Sequence, residues 1–194
     1  RSGSGTRFGQ ARGAFIHAQV CRIVNRGVWD DMLCAETKAI VHALRQWHWR
    51  PLLCEFALPL GGHNTNNVRM ATAIDMLCYD KCNNRLVVIE LKTGYNQNFT
   101  TTCGYLRGPM RSHRQSPLSQ AFLQLAMACF ALQDAFGVHV QSTDAYVLHA
   151  TNQNTVTAWP MPRQLYYDAM NAYAVLCMHT TPSASDLRAT VVSF

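Results

Sequence analysis

The stretch Ala73-Ile74-Asp75-Met76-Leu77 is followed, after a short polar turn, by Leu86-Val87-Val88-Ile89-Glu90-Leu91-Lys92. Two apolar runs joined by the segment from Asp80 to Asn84 read as a β-hairpin. This pair constrains the chain more than any other feature, because it carries charge inside strands that are otherwise apolar. Residues i and i+2 of a strand face the same side, so Glu90 and Lys92 project together while Leu91 turns into the opposite layer. With the two strands paired, Asp75 can join them. Two carboxylates and one ammonium then converge on one point. Charges in such a setting are costly unless they are paired or metal-bound. A Glu90–Lys92 ion pair meets that requirement, and so does a divalent cation.

The flanking sequence supplies the layers. Asp30 or Asp31 can cap a helix beginning near Met32, whose apolar positions Leu33, Ile40, Val41, Leu44 and Trp47 keep a helical spacing and which Pro51 ends. Leu52 to Leu60, Val68 to Tyr79 and Arg85 to Lys92 read as three consecutive strands. Ser116-Pro117 opens a strong helix that Gly137 stops after Phe136. Ala145 to Ala150 and Thr155 to Trp159 read as two more strands, Pro162 to Cys177 as a last helix, and Thr180 to Ser185 as a loop. The order α, β, β, β, α, β, β, α predicts an α/β domain with a mixed central sheet flanked by helices. Residues 1–13, rich in Gly, Ser and Arg, are set aside as a flexible N-terminus or an expression remnant, and 14–194 are read as a single domain.

Composition narrows the partners. The 194 residues are 48% hydrophobic and only 14% charged, yet carry a net charge of +6, which favours a polyanion such as nucleic acid. No apolar run reaches the ~18 residues that a membrane span needs. The eight cysteines include no CxxC pair and several fall in apolar segments. They read as reduced thiols of an intracellular compartment, cytoplasm or nucleus, with no zinc site at Cys78 and Cys82.

Hydrolysis of a phosphodiester needs an activated water and stabilisation of charge on the phosphate and the leaving oxygen. Magnesium or manganese supplies both when held by one or two carboxylates with several waters retained. Asp75 and Glu90 suit such a hard-oxygen site, and the backbone carbonyl of Leu91 can add a ligand. Lys92 can orient or deprotonate the water, or neutralise charge in the transition state. Residues 93–116 read as a long basic loop leaving directly after Lys92, with Arg107, Arg111, His113 and Arg114 available to phosphates. Trp29, Trp47 and Trp49 can stack on bases, although their spacing favours core packing.

A helix bearing a glutamate, three antiparallel strands with an aspartate and a Glu-x-Lys, and then a helix and further strands resemble the PD-(D/E)XK nuclease superfamily. Ile74-Asp75 stands where the family has Pro-Asp, and Glu90-Leu91-Lys92 where it has (D/E)XK. The matching order of elements covers about residues 27–160. Lys92-Thr93-Gly94, followed by a glutamine-bearing helix, is most similar to the RecB-like and lambda-exonuclease-like branch, which includes viral alkaline exonucleases. The resemblance implies a restriction-endonuclease-like αβββαβ core. It also implies a Mg2+- or Mn2+-dependent DNA exonuclease acting in replication, recombination or repair, able to assemble into a homo-oligomeric ring. It adds Glu36 on the first helix as an acidic residue contacting the metal or its water. Gln124, or Gln120 one turn before it, is expected to approach the catalytic centre or the DNA. Neither glutamine has a tyrosine four places on, a departure from the QxxxY pattern of that branch. Glu55 on the first strand fits either a family glutamate or a structural pair. The tight cysteine cluster of iron–sulfur members is absent, so no such cluster is expected. A structure-specific endonuclease, an RNA-cleaving nuclease and a non-catalytic nucleic-acid-binding module remain alternatives.

Overall fold

The computed structural model of the chain describes residues 3–27, 29, 32–60, 70–94 and 98–178. Its elements are α1 (Gly3–Arg26), α2 (Ala35–Gln46), β1 (Trp49–Leu60), β2 (Met70–Asp80), β3 (Arg85–Thr93), α3 (Pro117–Phe136), β4 (Ala145–Ala150), β5 (Val156–Pro160) and α4 (Arg163–Met178). The sheet runs in the order β1-β2-β3-β4-β5. β1, β2 and β3 form an antiparallel meander, β4 pairs parallel to β3, and β5 returns antiparallel. A parallel neighbour requires a long crossover, and α3 is that crossover. The expected mixed sheet flanked by helices is what the chain forms.

Each face of the sheet closes its own core. On one, Val88 of β3 and Val147 of β4 meet α3 and α4 through Leu125, Cys129, Leu132, Leu165 and Ala169. On the other, Val87, Ile89, Leu91 and Leu148 meet Ile16 and Val20 of α1 and Ile40 and Leu44 of α2. Trp49 lies in this second core with its ring 5.1 Å from Trp47 and 4.8 Å from Tyr146, so both tryptophans pack as the spacing suggests. No helix among the described residues is long and apolar enough to cross a membrane.

Local signals set several boundaries. Ser116 caps α3 by accepting the Ser119 N–H, Pro117 fills the first turn, and Gly137 ends the helix at φ +65°. In the β2–β3 turn, Asp80 Oδ1 accepts the N–H groups of Cys82 and Asn83 at 2.9 and 3.1 Å, an Asx arrangement that leaves Asn84 at φ +51°.

Three expectations need correction. The order expected no helix ahead of the one near Met32, yet α1 runs over Gly3–Arg26, and residues 3–13, set aside above, are its opening turns. Their composition is poor for a helix, but α1 is held by packing, with Ile16 and Val20 fully buried against α2 and the sheet. Second, α2 begins at Ala35 with Cys34 at its N-cap, and no side chain of the cap bonds the first turn. Asp30 and Asp31 lie outside the described residues. A tertiary cap replaces the local one: Gln19 Oε1, from α1, accepts the Cys34 N–H at 3.1 Å and the Thr37 hydroxyl at 2.9 Å. Gln19→Ala is therefore expected to destabilise the fold by about 1–2 kcal/mol in urea denaturation, as loss of a buried cap does. Third, Pro51 does not end a helix; it lies inside β1, opposite Cys78. β1 is an edge strand whose pairing with β2 shifts register between Pro51 and Leu53, the edge and bulge setting in which a strand tolerates proline. The stretches 68–69 and 180–185, read as strand and loop, lie outside the described residues.

Candidate metal centre

The β2–β3 ladder runs from the turn up to Met76↔Ile89 and stops there. Beyond that level the two strands part. At the same level β1 and β2 change face: Phe56 and Ile74 pack under α3, whereas Cys54 and Met76 pack under α1 and α2. Residues two apart on a regular strand share a face, so both strands break between these positions while staying in register. Glu55 and Asp75 are the residues at the break. Glu55 adopts φ +51°, a left-handed conformation unusual for a glutamate. Cys54 Sγ donates to the Asp75 carbonyl at 3.0 Å and pins the break from below. Burial pushes that thiol well above its ordinary range, so it acts as an inert structural donor.

Parting of the strands leaves the backbone of Leu91 without a ladder partner on the β2 side, and side chains take over. Asp75 Oδ2 accepts the Leu91 N–H at 2.8 Å. His17 Nε2, from α1, reaches the Leu91 carbonyl at 3.0 Å. Its other ring nitrogen, Nδ1, faces Asp75 Oδ1 across 3.9 Å. Glu90 projects towards the opposite face, where Lys92 Nζ donates to its Oε1 at 2.6 Å. Asp75, Glu90 and Lys92 lie near enough for each carboxylate to feel the other two charges, with Leu91 between the two faces.

Electrostatics single out the two carboxylates. Glu90 is only 5% exposed. Burial, and then the neighbouring charge of Asp75, push it up to about 7, against the pull of Lys92. Burial also raises Asp75, against His17, the Leu91 N–H and Lys92, while Glu55 adds to the rise. This pair is short of positive charge. A carboxylate raised from 4.5 to about 7 binds its proton more tightly when folded, so its contribution is full below pH 4.5 and is lost as pH rises to 7. Urea denaturation without divalent ions at pH 5 and pH 8 is expected to show the protein losing up to about 3 kcal/mol relative to Glu90→Gln. A difference that stays constant across that window contradicts the assignment.

The donor chemistry fits a hard divalent cation. A span of 3.9 Å between His17 Nδ1 and Asp75 Oδ1 is too long for a hydrogen bond and falls short of the ~4.2 Å between opposite ligands of an octahedral ion, so a shared ion would require the two side chains to move apart by a few tenths of an ångström. A histidine whose second nitrogen bonds a backbone carbonyl is oriented as metal-ligating imidazoles are. Among the described residues no three His, Cys, Asp or Glu side chains close on one point. The set is open, and Mg2+ in protein sites keeps several waters beside one or two carboxylates. Asp75 is the residue both flanks share: an ion would be held by Asp75 with His17 on the α1 side or with Glu90 on the other face, its remaining positions filled by water. The Leu91 carbonyl, expected as a ligand, is engaged by His17.

Other expected residues fall elsewhere. Glu36 is fully buried but pairs with Arg12 of α1, whose Nε lies 3.1 Å away. Burial raises Glu36, and the Arg12 hydrogen bond brings it back below the usual carboxylate range. Gln124 is half-buried on α3 and Gln120 exposed. Neither of these, nor Glu36, makes a hydrogen bond to Asp75, Glu90 or Lys92 among the described residues. Arg107, Arg111 and Arg114 are exposed on an ordered arm rather than a loose loop. Leu106 N–H bonds the His113 carbonyl at 2.9 Å, and the Cys103 and Gln115 N–H groups close the arm at 2.8 and 3.0 Å. Buried Met110 and a 2.8 Å His113–Asp168 contact dock it on α4, and Arg114 lies 4.4 Å over the Tyr105 ring.

Sequence reasoning missed two histidines. His17 had a faint signal: Gly13, His17 and Cys21 recur every four residues on one face of α1. Gly13 belongs to that face because a Cβ there would stand 3.1 Å from Thr93 Oγ1. His149 had none. It neighbours Lys92 in the β3–β4 ladder, stacks on Phe99 at 4.0 Å, and reaches the Gly94 carbonyl through Nε2. Burial lowers its pKa, which keeps the ring neutral at physiological pH. Gly94 also donates to the Ala150 carbonyl at 3.1 Å, so β4 fixes the exit of the chain from the site. No protein-family model and no curated protein matches the sequence.

Proposed function

We propose that the protein is a divalent-metal-dependent deoxyribonuclease of the PD-(D/E)XK type. The observation that carries this reading is the charge-deficient pair Asp75–Glu90, brought together with Lys92 where β2 parts from β3. The αβββαβ order around it and the exposed arginines of the adjacent arm support the same reading.

Bound Mg2+ or Mn2+ supplies Lewis-acid activation of water and stabilisation of negative charge on the phosphate. The residues do the rest. Asp75 keeps one oxygen on the Leu91 N–H and turns the other towards His17. His17 is fixed by the Leu91 carbonyl, which sets its ring orientation. Lys92 holds Glu90 by one oxygen and presents an ammonium where charge builds on the scissile phosphate. Arg107, Arg111 and Arg114 guide the strand by its phosphates. Action from a DNA end, in replication, recombination or repair, comes from the family resemblance.

The test is incubation with end-labelled linear and circular DNA, and with RNA, each with and without Mg2+ or Mn2+. Loss of linear DNA alone indicates an exonuclease, and nicked circles an endonuclease. No cleavage of any substrate sinks the enzymatic reading. His17→Ala is expected to reduce cleavage at least tenfold and to weaken the rise in melting temperature caused by Mn2+. An unchanged Mn2+ response would remove His17 from the ligand set.

A further inference from the structure

We infer that the outer face of α2, together with Trp29, is a second site that binds single-stranded nucleic acid. It shares a polyanionic partner with the nuclease reading but none of that site's residues. Lys38, His42 and Arg45 recur at i, i+4 and i+7 and are all exposed, which puts three basic side chains along one face of the helix. The opposite face carries Ile40, Ala43 and Leu44 into the core. Above the basic face runs an open groove of about 480 Å³, within the ~300–1,000 Å³ of ordinary ligand sites. Ala35 and Ala39 form a low floor, and Asn154, at φ +61° in the β4–β5 turn, borders it.

Trp29 stands on the rim. It is 48% exposed, unlike Trp49, which is buried. Arg45 lies 5.3 Å from its ring centroid, so the indole is held by a guanidinium rather than by a core. An exposed aromatic surface beside a row of basic groups matches a chain of alternating planar rings and phosphates. Every base offers a π-face for stacking, and each phosphate needs a cation. An acidic peptide would use the cations and leave the indole unused. No carboxylate lines the groove among the described residues.

The experiment titrates the full chain with a short fluorescein-labelled oligothymidylate in EDTA, where metal-dependent cleavage is silent, and follows anisotropy and tryptophan quenching. Trp29→Ala and the double variant Lys38→Ala/Arg45→Ala are each expected to weaken binding about tenfold or more, with circular dichroism unchanged. The double variant alters only exposed side chains and keeps the test open should Trp29→Ala misfold. Binding that survives in both α2 variants overturns the inference. So does competition by poly-glutamate of equal charge as strong as that by unlabelled oligothymidylate. If no substrate is cleaved but binding still depends on Trp29, the nuclease reading fails and this one stands.

Discussion

Asp75→Asn is expected to lower metal-dependent DNA cleavage by about a thousandfold or more, while the fold is kept. Asparagine has the same shape and its side-chain oxygen still accepts the Leu91 N–H, the bond that closes the end of the β2–β3 ladder. What disappears is charge. A hard cation loses a carboxylate ligand, and with it several kcal/mol of transition-state stabilisation at 1.36 kcal/mol per tenfold. The charge of Asp75 is, after burial, the main reason Glu90 is raised to about 7. Asp75→Asn therefore lets Glu90 ionise at lower pH, and the metal-free protein at pH 8 is expected to be as stable as the parent or more so. Two readings check this together: initial rates on linear DNA, and melting temperature with and without Mn2+. Cleavage within tenfold of the parent, with a full Mn2+ response, would falsify the assignment of Asp75 to the metal.

Lys92→Ala is expected to separate metal binding from chemistry. Cleavage should fall to background, while Mn2+ still raises the melting temperature, because Asp75, Glu90 and His17 remain. Stability should depend on pH in a defined direction. Lys92 pulls Glu90 down from where burial puts it, so without Lys92 the folded protein holds the Glu90 proton to higher pH. At pH 5.5 Glu90 is neutral in both proteins and the variant should nearly match the parent. At pH 8.5 the parent has an ionised, paired Glu90, and the variant should be less stable by about 2 kcal/mol, the pH distance above 7 at 1.36 kcal/mol per unit. Urea denaturation at the two pH values decides. An equal loss at both would mean that Lys92 contributes packing rather than charge compensation.

The strands carrying this chemistry were legible because their signals are local. Apolar runs, the Asp80-to-Asn84 turn and the Ser116-Pro117 cap each act within a few residues, and β2, β3 and α3 formed close to where those signals put them. α1 was not legible at all, since the first helix read from the sequence begins near Met32. Gly, Ser and Arg promise little helix, and only burial of Ile16 and Val20 against the sheet and α2 favours it. The cap of α2 failed for a related reason: Gln19 supplies it from fifteen residues upstream of Cys34.

For the site, the sequence by itself determined that two carboxylates and a lysine must lie on paired strands, since strand alternation is a property of the backbone. Only the tertiary structure decided how they meet. The face change at Glu55 and Asp75 depends on which core each neighbouring residue enters, α3 or α1 and α2, and no periodicity within one strand records that choice. The arrival of His17 at Leu91 depends on where α1 packs, and the placing of His149 beside Lys92 on the parallel pairing of β4. Charge type and spacing follow from the order of residues. Desolvation, which raises Glu90 and leaves the pair short of positive charge, follows only from packing against distant segments.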